Sequence, residues 1–439
     1  MSESFWIEPV APTGSPVPSV DRGEWISDWQ QVYARDIIDS PLISVDSDTS
    51  VEDACELLLS EDIMCLAVRA QNQDANSPSY AGLFDFSDVN AFLTLAATRH
   101  TFLPEFLAQN PKIDGIVAAA RAGRVPVKLV SDLSEKNPLK TVRNDARIIA
   151  LLEVFAGGAH RVLVKAESPD EPFIGLVSDR SLLSWFHSYA QRTPSFYEYL
   201  SHPLSSLGLP SLNIHSSVVA ASSVASVLDA MKLMSEEGVS SVAVVDEESG
   251  ALLSAVSVTD IGKIVVPSES NQILSTPLQQ FIAQIKVFPC RLVRCLISNH
   301  LKEPDGSLDG ADKYPVYSIS PSTPLSYTME KLLATNSHRL FVTRESGLGT
   351  SPVISPSYST NLTGIVSVVD VLSLFARLAD IPNVDPTRMQ RHRRASSASS
   401  HSSTSDLDII RSRSSSRTST RRSPRITPVS PPPVIADLH

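Results

Sequence analysis

Between about residues 32 and 378 the apolar positions alternate between two spacings. Short runs of β-branched residues give way to stretches with apolar residues three and four apart, the signatures of strand and helix. The last example is the clearest. Gly364-Ile365-Val366-Ser367-Val368 reads as a strand, and Val371, Leu372, Leu374, Phe375 and Leu378 then recur at helical spacing. Asp370 sits at the handover. The same order, strand, helix, strand, variable loop, strand, helix, is predicted over residues 32–97, 125–190, 196–266 and 277–378.

In the first unit Ser50–Ser60 predicts a helix capped by Thr49 or Ser50, followed by strands at Cys65–Val68 and Gly82–Phe84 and a helix over Val89–Ala97. In the second, Val125-Pro126-Val127 is read as extended. A helix over Arg147–Phe155 is stopped by Gly157-Gly158, and Gly175–Ser178 leads into a helix over Ser181–Tyr189. In the third, a helix over Val224–Glu237 ends at Gly238, and Thr259-Asp260 opens the closing helix. In the fourth, Tyr327–Ala334 is the first helix, and a Ser/Pro/Gly-rich loop fills about residues 345–360. Four copies of one supersecondary unit make an α+β repeat architecture. One unit alone buries too little apolar surface, so the units are expected to pack in pairs.

The flanks have a different character. Residues 1–23 carry Pro9, Pro12, Pro16 and Pro18 among small polar residues, and Ser15-Pro16 fits a proline-directed kinase; ordered structure is expected from about Glu24. Residues 380–439 are rich in Ser, Arg and Pro and are expected to be disordered. That tail carries ten Arg against three Asp from Arg388 onward, about +7, so the net charge of −11 leaves the body near −18. An acidic body argues against nucleic-acid binding there, and the basic tail lacks the interleaved aromatics of an RNA-binding segment. Ser396 follows a basic Arg393-Arg394 pair, and Ser423, Thr427 and Ser430 each precede proline; all four are phosphorylation candidates.

Cys55, Cys65, Cys290 and Cys295 lack metal-ligand spacing and read as free thiols, so neither a metal nor a disulfide is expected. No apolar run reaches the length of a membrane span. No P-loop, nucleophile elbow or metal-spaced His/Glu helix is present in the sequence, which argues against an enzyme.

What remains is a recognition chemistry. A carboxylate at a strand-to-helix handover can accept both hydroxyls of a ribose, and the adjoining helix N-terminus favours phosphate. Asp88, Asp260 and Asp370 hold that position in three units, with Ser181 in the second. His160-Arg161 and His338-Arg339 precede strands in the second and fourth units. The alternatives are plain ones: aspartates as helix caps, and His-Arg pairs as surface residues beside a helix C-terminus.

These features resemble CBS-domain proteins, among them the gamma subunit of AMP-activated protein kinase. The likeness rests on Gly175-Leu176-Val177-Ser178, Ser257-Val258-Thr259-Asp260, Gly364 to Asp370 and the two His-Arg pairs. With its Ser/Arg tail the architecture resembles the fungal Sds-type CBS proteins. That resemblance implies two CBS units per Bateman module and two modules forming a disc. It implies AMP, ADP or ATP as ligand, with no cofactor required. Asp88, Asp260 and Asp370 would be ribose positions supported by Ser257 and Ser367, and His160, Arg161, His338 and Arg339 phosphate positions. Partners would be a phosphatase related to protein phosphatase 2A, or kinase subunits, in cell separation, DNA replication, cell cycle and stress, in cytoplasm and nucleus. Ser181 stands where an aspartate is wanted, a loss that the gamma subunit shares in its own second copy. Asp85, where Ser or Thr is usual, and Met64, where the gamma subunit carries a basic phosphate contact, depart from the pattern. Loss of one Arg–phosphate bond costs about 1.5–3 kcal/mol, roughly one to two decades in affinity.

Overall fold

The structure, a computed structural model, describes residues 22–71, 79–167, 172–214, 218–266, 271–287, 317–343, 362–382 and 384. The N-terminal 21 residues, Cys290, Cys295, the 345–360 loop and the tail with Ser396, Ser423, Thr427 and Ser430 lie outside them.

Among the described residues four three-stranded sheets form, one per repeat. The strands are Ser44–Val45 (β1), Cys65–Arg69 (β2) and Tyr80–Asp85 (β3); Thr141–Arg143 (β4), Arg161–Lys165 (β5) and Phe173–Ser178 (β6); Ala220–Ser222 (β7), Ser241–Val245 (β8) and Leu252–Ser257 (β9); and Ser318–Ile319 (β10), Arg339–Thr343 (β11) and Leu362–Ser367 (β12). In each sheet the first pair is parallel and the second antiparallel. Each antiparallel pair breaks register at the same place, after Val68, Val164, Val244 and Val342. Between the first two strands of each sheet runs a first helix: Val51–Ser60, Ile148–Ala156, Val227–Glu236 and Leu325–Ala334. After the third strand comes a second: Phe86–Thr98, Asp179–Arg192, Val258–Val265 and Val368–Leu378.

The middle strands are apolar on both faces because both faces are covered. Cys65, Ala67 and Leu83 pack on Leu163 and Leu176, joining the sheets of repeats one and two. Ala243 packs on Phe341 and Ile365, joining three and four. The helical faces associate the other way. One core unites the helices of repeats one and three, including Leu58, Val89, Met231 and Ile261. The other unites two and four, including Leu152, Phe186, Met329 and Phe375. The expected pairing is therefore present, and the modules meet helix to helix.

A helix over Arg22–Trp29 begins two residues before the expected Glu24. Its Trp25 and Trp29 are fully enclosed against Phe186, Phe196 and Phe375. Residues 98–124, unassigned in the sequence reading, contain helices Pro104–Gln109 and Pro111–Arg121. Pro126 is extended, as expected, and bridges Ser50, but Val127, also expected to be extended, opens a helical turn over Val127–Val130, the proline's fixed φ suiting the position just before a helix.

The linkers cross over. Val51 N–H donates to Val125 O, so the segment after repeat one returns to it. Ala34 N–H donates to Ala146 O, so the segment before repeat one covers repeat two. The second module repeats this, with Leu278 N–H on Ala225 O and Leu204 N–H on Thr323 O. Residues 125–130 and 277–287 thus join repeats one and three by contact, although they precede repeats two and four in the chain. Both covering segments cross the last strand at a glycine. A Cβ at Gly175 would strike Ile38 and the Ser40 carbonyl, and one at Gly364 would overlap the Leu212 and Ser211 carbonyls.

Candidate functional site

Each second helix begins with the same device. Asp85, Ser178, Ser257 and Ser367 are N-caps, and the side chain three residues on bonds back to the cap nitrogen. Those returning side chains are Asp88, Ser181, Asp260 and Asp370. Each of the three ribose-position aspartates therefore has a structural task, and they differ in what is left over.

Asp370 is fully enclosed. It accepts from Ser211 Oγ at 2.6 Å and from Ser367 N–H at 2.8 Å, and Ser367 Oγ also donates to it. Burial raises its pKa, opposed by those hydrogen bonds. The Ser211-Leu212 segment lies across β12 and closes the carboxylate off from solvent, so Asp370 has no exposed edge for a ribose. Asp88 is 1% exposed and accepts from Ser134 N–H at 2.9 Å and Asp85 N–H at 3.3 Å. Burial, and then the neighbouring Asp85 charge, push its pKa up to about 8. Asp260 alone of the three is only half-buried. Its Oδ2 accepts from Ser257 N–H at 2.9 Å and Ser257 Oγ at 2.6 Å, and burial raises its pKa. Tyr317, at the head of the fourth repeat's sheet, is close enough for the Asp260 charge to act on it.

The expected phosphate residues are brought together, but with internal anions. Arg161 Nη1 donates to Asp85 Oδ2 at 3.0 Å, with side-chain exposures of 11% and 8%. Asn137 Nδ2 donates to the same oxygen at 3.2 Å, and Asp85 Oδ1 accepts from Ser87 N–H at 2.7 Å. His160 and His338 meet across the boundary between the modules, ring centroids 5.0 Å apart. Between them lies Asp179, whose Oδ2 is 2.8 Å from His160 Nδ1 and 3.6 Å from His338 Nδ1. Burial opposes ionisation of Asp179, but the two histidines outweigh it and hold its carboxyl well below the usual carboxylate range. Arg339 is near enough to Asp370 to lower its pKa in part. Met64 is half-buried beside the first repeat's core.

Asp179 was missed in the sequence. It had a signal: at the first position of the second helix the other repeats carry Phe86, Val258 and Val368, all buried and apolar. An acid there, fully enclosed, is out of place unless something charged faces it.

The CBS domain family profile matches residues 34–93 and 212–266. Protein sds23 of Aspergillus niger is 29% identical over 361 residues, covering 82% of this chain and 64% of the relative. Protein sds23 of Neosartorya fischeri is 30% identical, covering 76% and 57%. The chain thus spans about three fifths of the length of these relatives. Among solved structures, protein MJ1225 of Methanocaldococcus jannaschii, proposed as an archaeal homolog of g-AMPK, superposes with a TM-score of 0.51 at 15% identity, covering 78% of this chain and all of that one. With four equivalent sheets paired two by two, this chain has the CBS-domain fold and is similar over most of its length to the fungal proteins named sds23.

Proposed function

We propose that this is a non-catalytic regulatory protein that takes an adenine nucleotide, AMP, ADP or ATP, in the groove between its third and fourth repeats. Asp260 would accept the ribose hydroxyls, supported by Ser257. The observation that carries this is the partial exposure of Asp260, against the enclosure of Asp88 and Asp370. The helix start beside it adds favourable dipole for a phosphate, and Tyr317 lies near enough to feel the Asp260 charge. Occupancy would tune a phosphatase related to protein phosphatase 2A, in cell separation, DNA replication, cell cycle and stress response, in cytoplasm and nucleus. The likeness to sds23 supports that direction. A kinase-complex subunit is the second reading, favoured by the fold shared with MJ1225.

Calorimetric titration of AMP and ATP into wild type, Asp260→Ala and Asp370→Ala tests this. Wild type and Asp370→Ala are expected to bind. Asp260→Ala should weaken binding by about one to two decades, the worth of hydrogen bonds to a charged group. Equal affinity in wild type and Asp260→Ala, or no heat in any of them, overturns the proposal.

A further inference from the structure

The geometry points to a divalent transition-metal site of the zinc class formed by His160, Asp179 and His338, joining the two modules. These three are, among the described residues, a set whose ligand atoms all lie within 4.8 Å of one another. An ion bound at about 2.0–2.2 Å from imidazole nitrogen and carboxylate oxygen places its ligands roughly 3.3–3.6 Å apart. The separations from Asp179 Oδ2 to the two Nδ1 atoms, 2.8 and 3.6 Å, bracket that range, so side-chain rotation alone can converge them.

Three further observations support the assignment. Asp179 is fully enclosed, and its Oδ1 has no hydrogen-bond partner among the described residues. Such an atom carries a desolvation cost that a second donor or a cation removes. The ligands are held from behind: Asp179 N–H donates to His160 O at 3.0 Å, and Val368 N–H to His338 O at 3.0 Å. The two histidines thus stand at equivalent turns of repeats two and four. The acid occurs in only one of those repeats, which leaves a single carboxylate between two imidazoles rather than a symmetric four-ligand cage. Two nitrogens and one oxygen suit zinc, cobalt or nickel, whereas calcium and magnesium take all-oxygen sets. The histidine side chains are 18% and 25% exposed, so a water can complete the coordination from the solvent side. This gives His160 and His338 a ligand other than nucleotide phosphate and does not depend on the Asp260 groove.

The test is equilibrium dialysis of the untagged full chain, stripped by chelator, against buffered Zn2+, with the absorption spectrum of the Co2+ form as second readout. The variants are His338→Gln, at a partly exposed position outside the apolar core, and Asp179→Asn, each checked for fold by circular dichroism. Wild type is expected to bind one ion that the variants bind at least about tenfold more weakly, with intense low-coordinate cobalt bands that the variants lose. Asp260→Ala should bind zinc as wild type does. The proposal is overturned if folded wild type binds no zinc, or if folded His338→Gln retains the stoichiometry, affinity and cobalt spectrum of wild type.

Discussion

Arg161 offers a direct measure of whether the expected phosphate cations are committed to the fold. The substitution Arg161→Met keeps the packing of the stem and deletes the guanidinium. Asp85 would then retain Asn137 and the Ser87 and Asp88 amides, but no cation. Removing one partner of a buried ion pair costs about 3–5 kcal/mol, because a charge is left enclosed and uncompensated. The surviving donors put this site near the lower end, about 3 kcal/mol. With a urea dependence of roughly 1–3 kcal/mol per molar, that lowers the unfolding midpoint by about 1–3 M. Asp85→Asn alone strands the guanidinium instead and should cost a similar amount. The double variant has neither charge, so its cost should fall short of the sum by about 2 kcal/mol. Urea titrations of the four proteins followed by circular dichroism give the cycle. If Arg161→Met stays within about 0.5 kcal/mol of wild type, or the two costs simply add, Asp85 does not hold the guanidinium and the argument for its commitment fails.

Other consequences are as open to measurement. Gly364→Ala drives a methyl into the carbonyls of Ser211 and Leu212; overpacking against backbone should cost at least about 1–3 kcal/mol, read as a lowered thermal midpoint, and an unchanged midpoint would show that residues 210–213 do not press on β12. The Cys55 and Cys65 thiols are each pushed up to about 12 by burial; they should resist a thiol reagent at neutral pH in the native protein and react once urea is added, as mapped by mass spectrometry, and native labelling of either would contradict their enclosure. Asp88 has a folded pKa of about 8, above its ordinary 3.8. Its contribution to stability is therefore complete below about pH 4 and drains away as pH rises through 8. Asp88→Asn should flatten that decline between about pH 5 and 9, whatever it does to absolute stability, and an unaltered pH slope would place the effect elsewhere.

Most of the repeat architecture was legible because its determinants are local. Ser257 and Asp260, or Ser367 and Asp370, are three residues apart, and the strand before them and the helix after them announce themselves by period. The apolar spacing that resumes at Trp25 and Trp29 marked the start of ordered chain, though not the helix that buries both. What the sequence could not show depends on partners far along the chain. Asp370 looks the same on paper whether open or closed; Ser211, 159 residues away, closes it. His160 and His338 are 178 positions apart, and only the helix layer between modules makes them neighbours. Asp179 could have been found by setting the four handovers side by side, since an acid among Phe86, Val258 and Val368 is an anomaly of composition.

The crossed linkers bear on how such a chain can grow or be cut. Because the strand of chain ahead of each module lies over that module's second half, and the connector folds back on the first, no single repeat carries its own complete wrapping. Duplication or exchange of one repeat would copy a domain without its cover, while duplication of a pair would copy both. A pair is accordingly the smallest portion of this chain that inheritance, or a designer's scissors, could move intact, and even that piece would arrive with a bare helical flank seeking its twin.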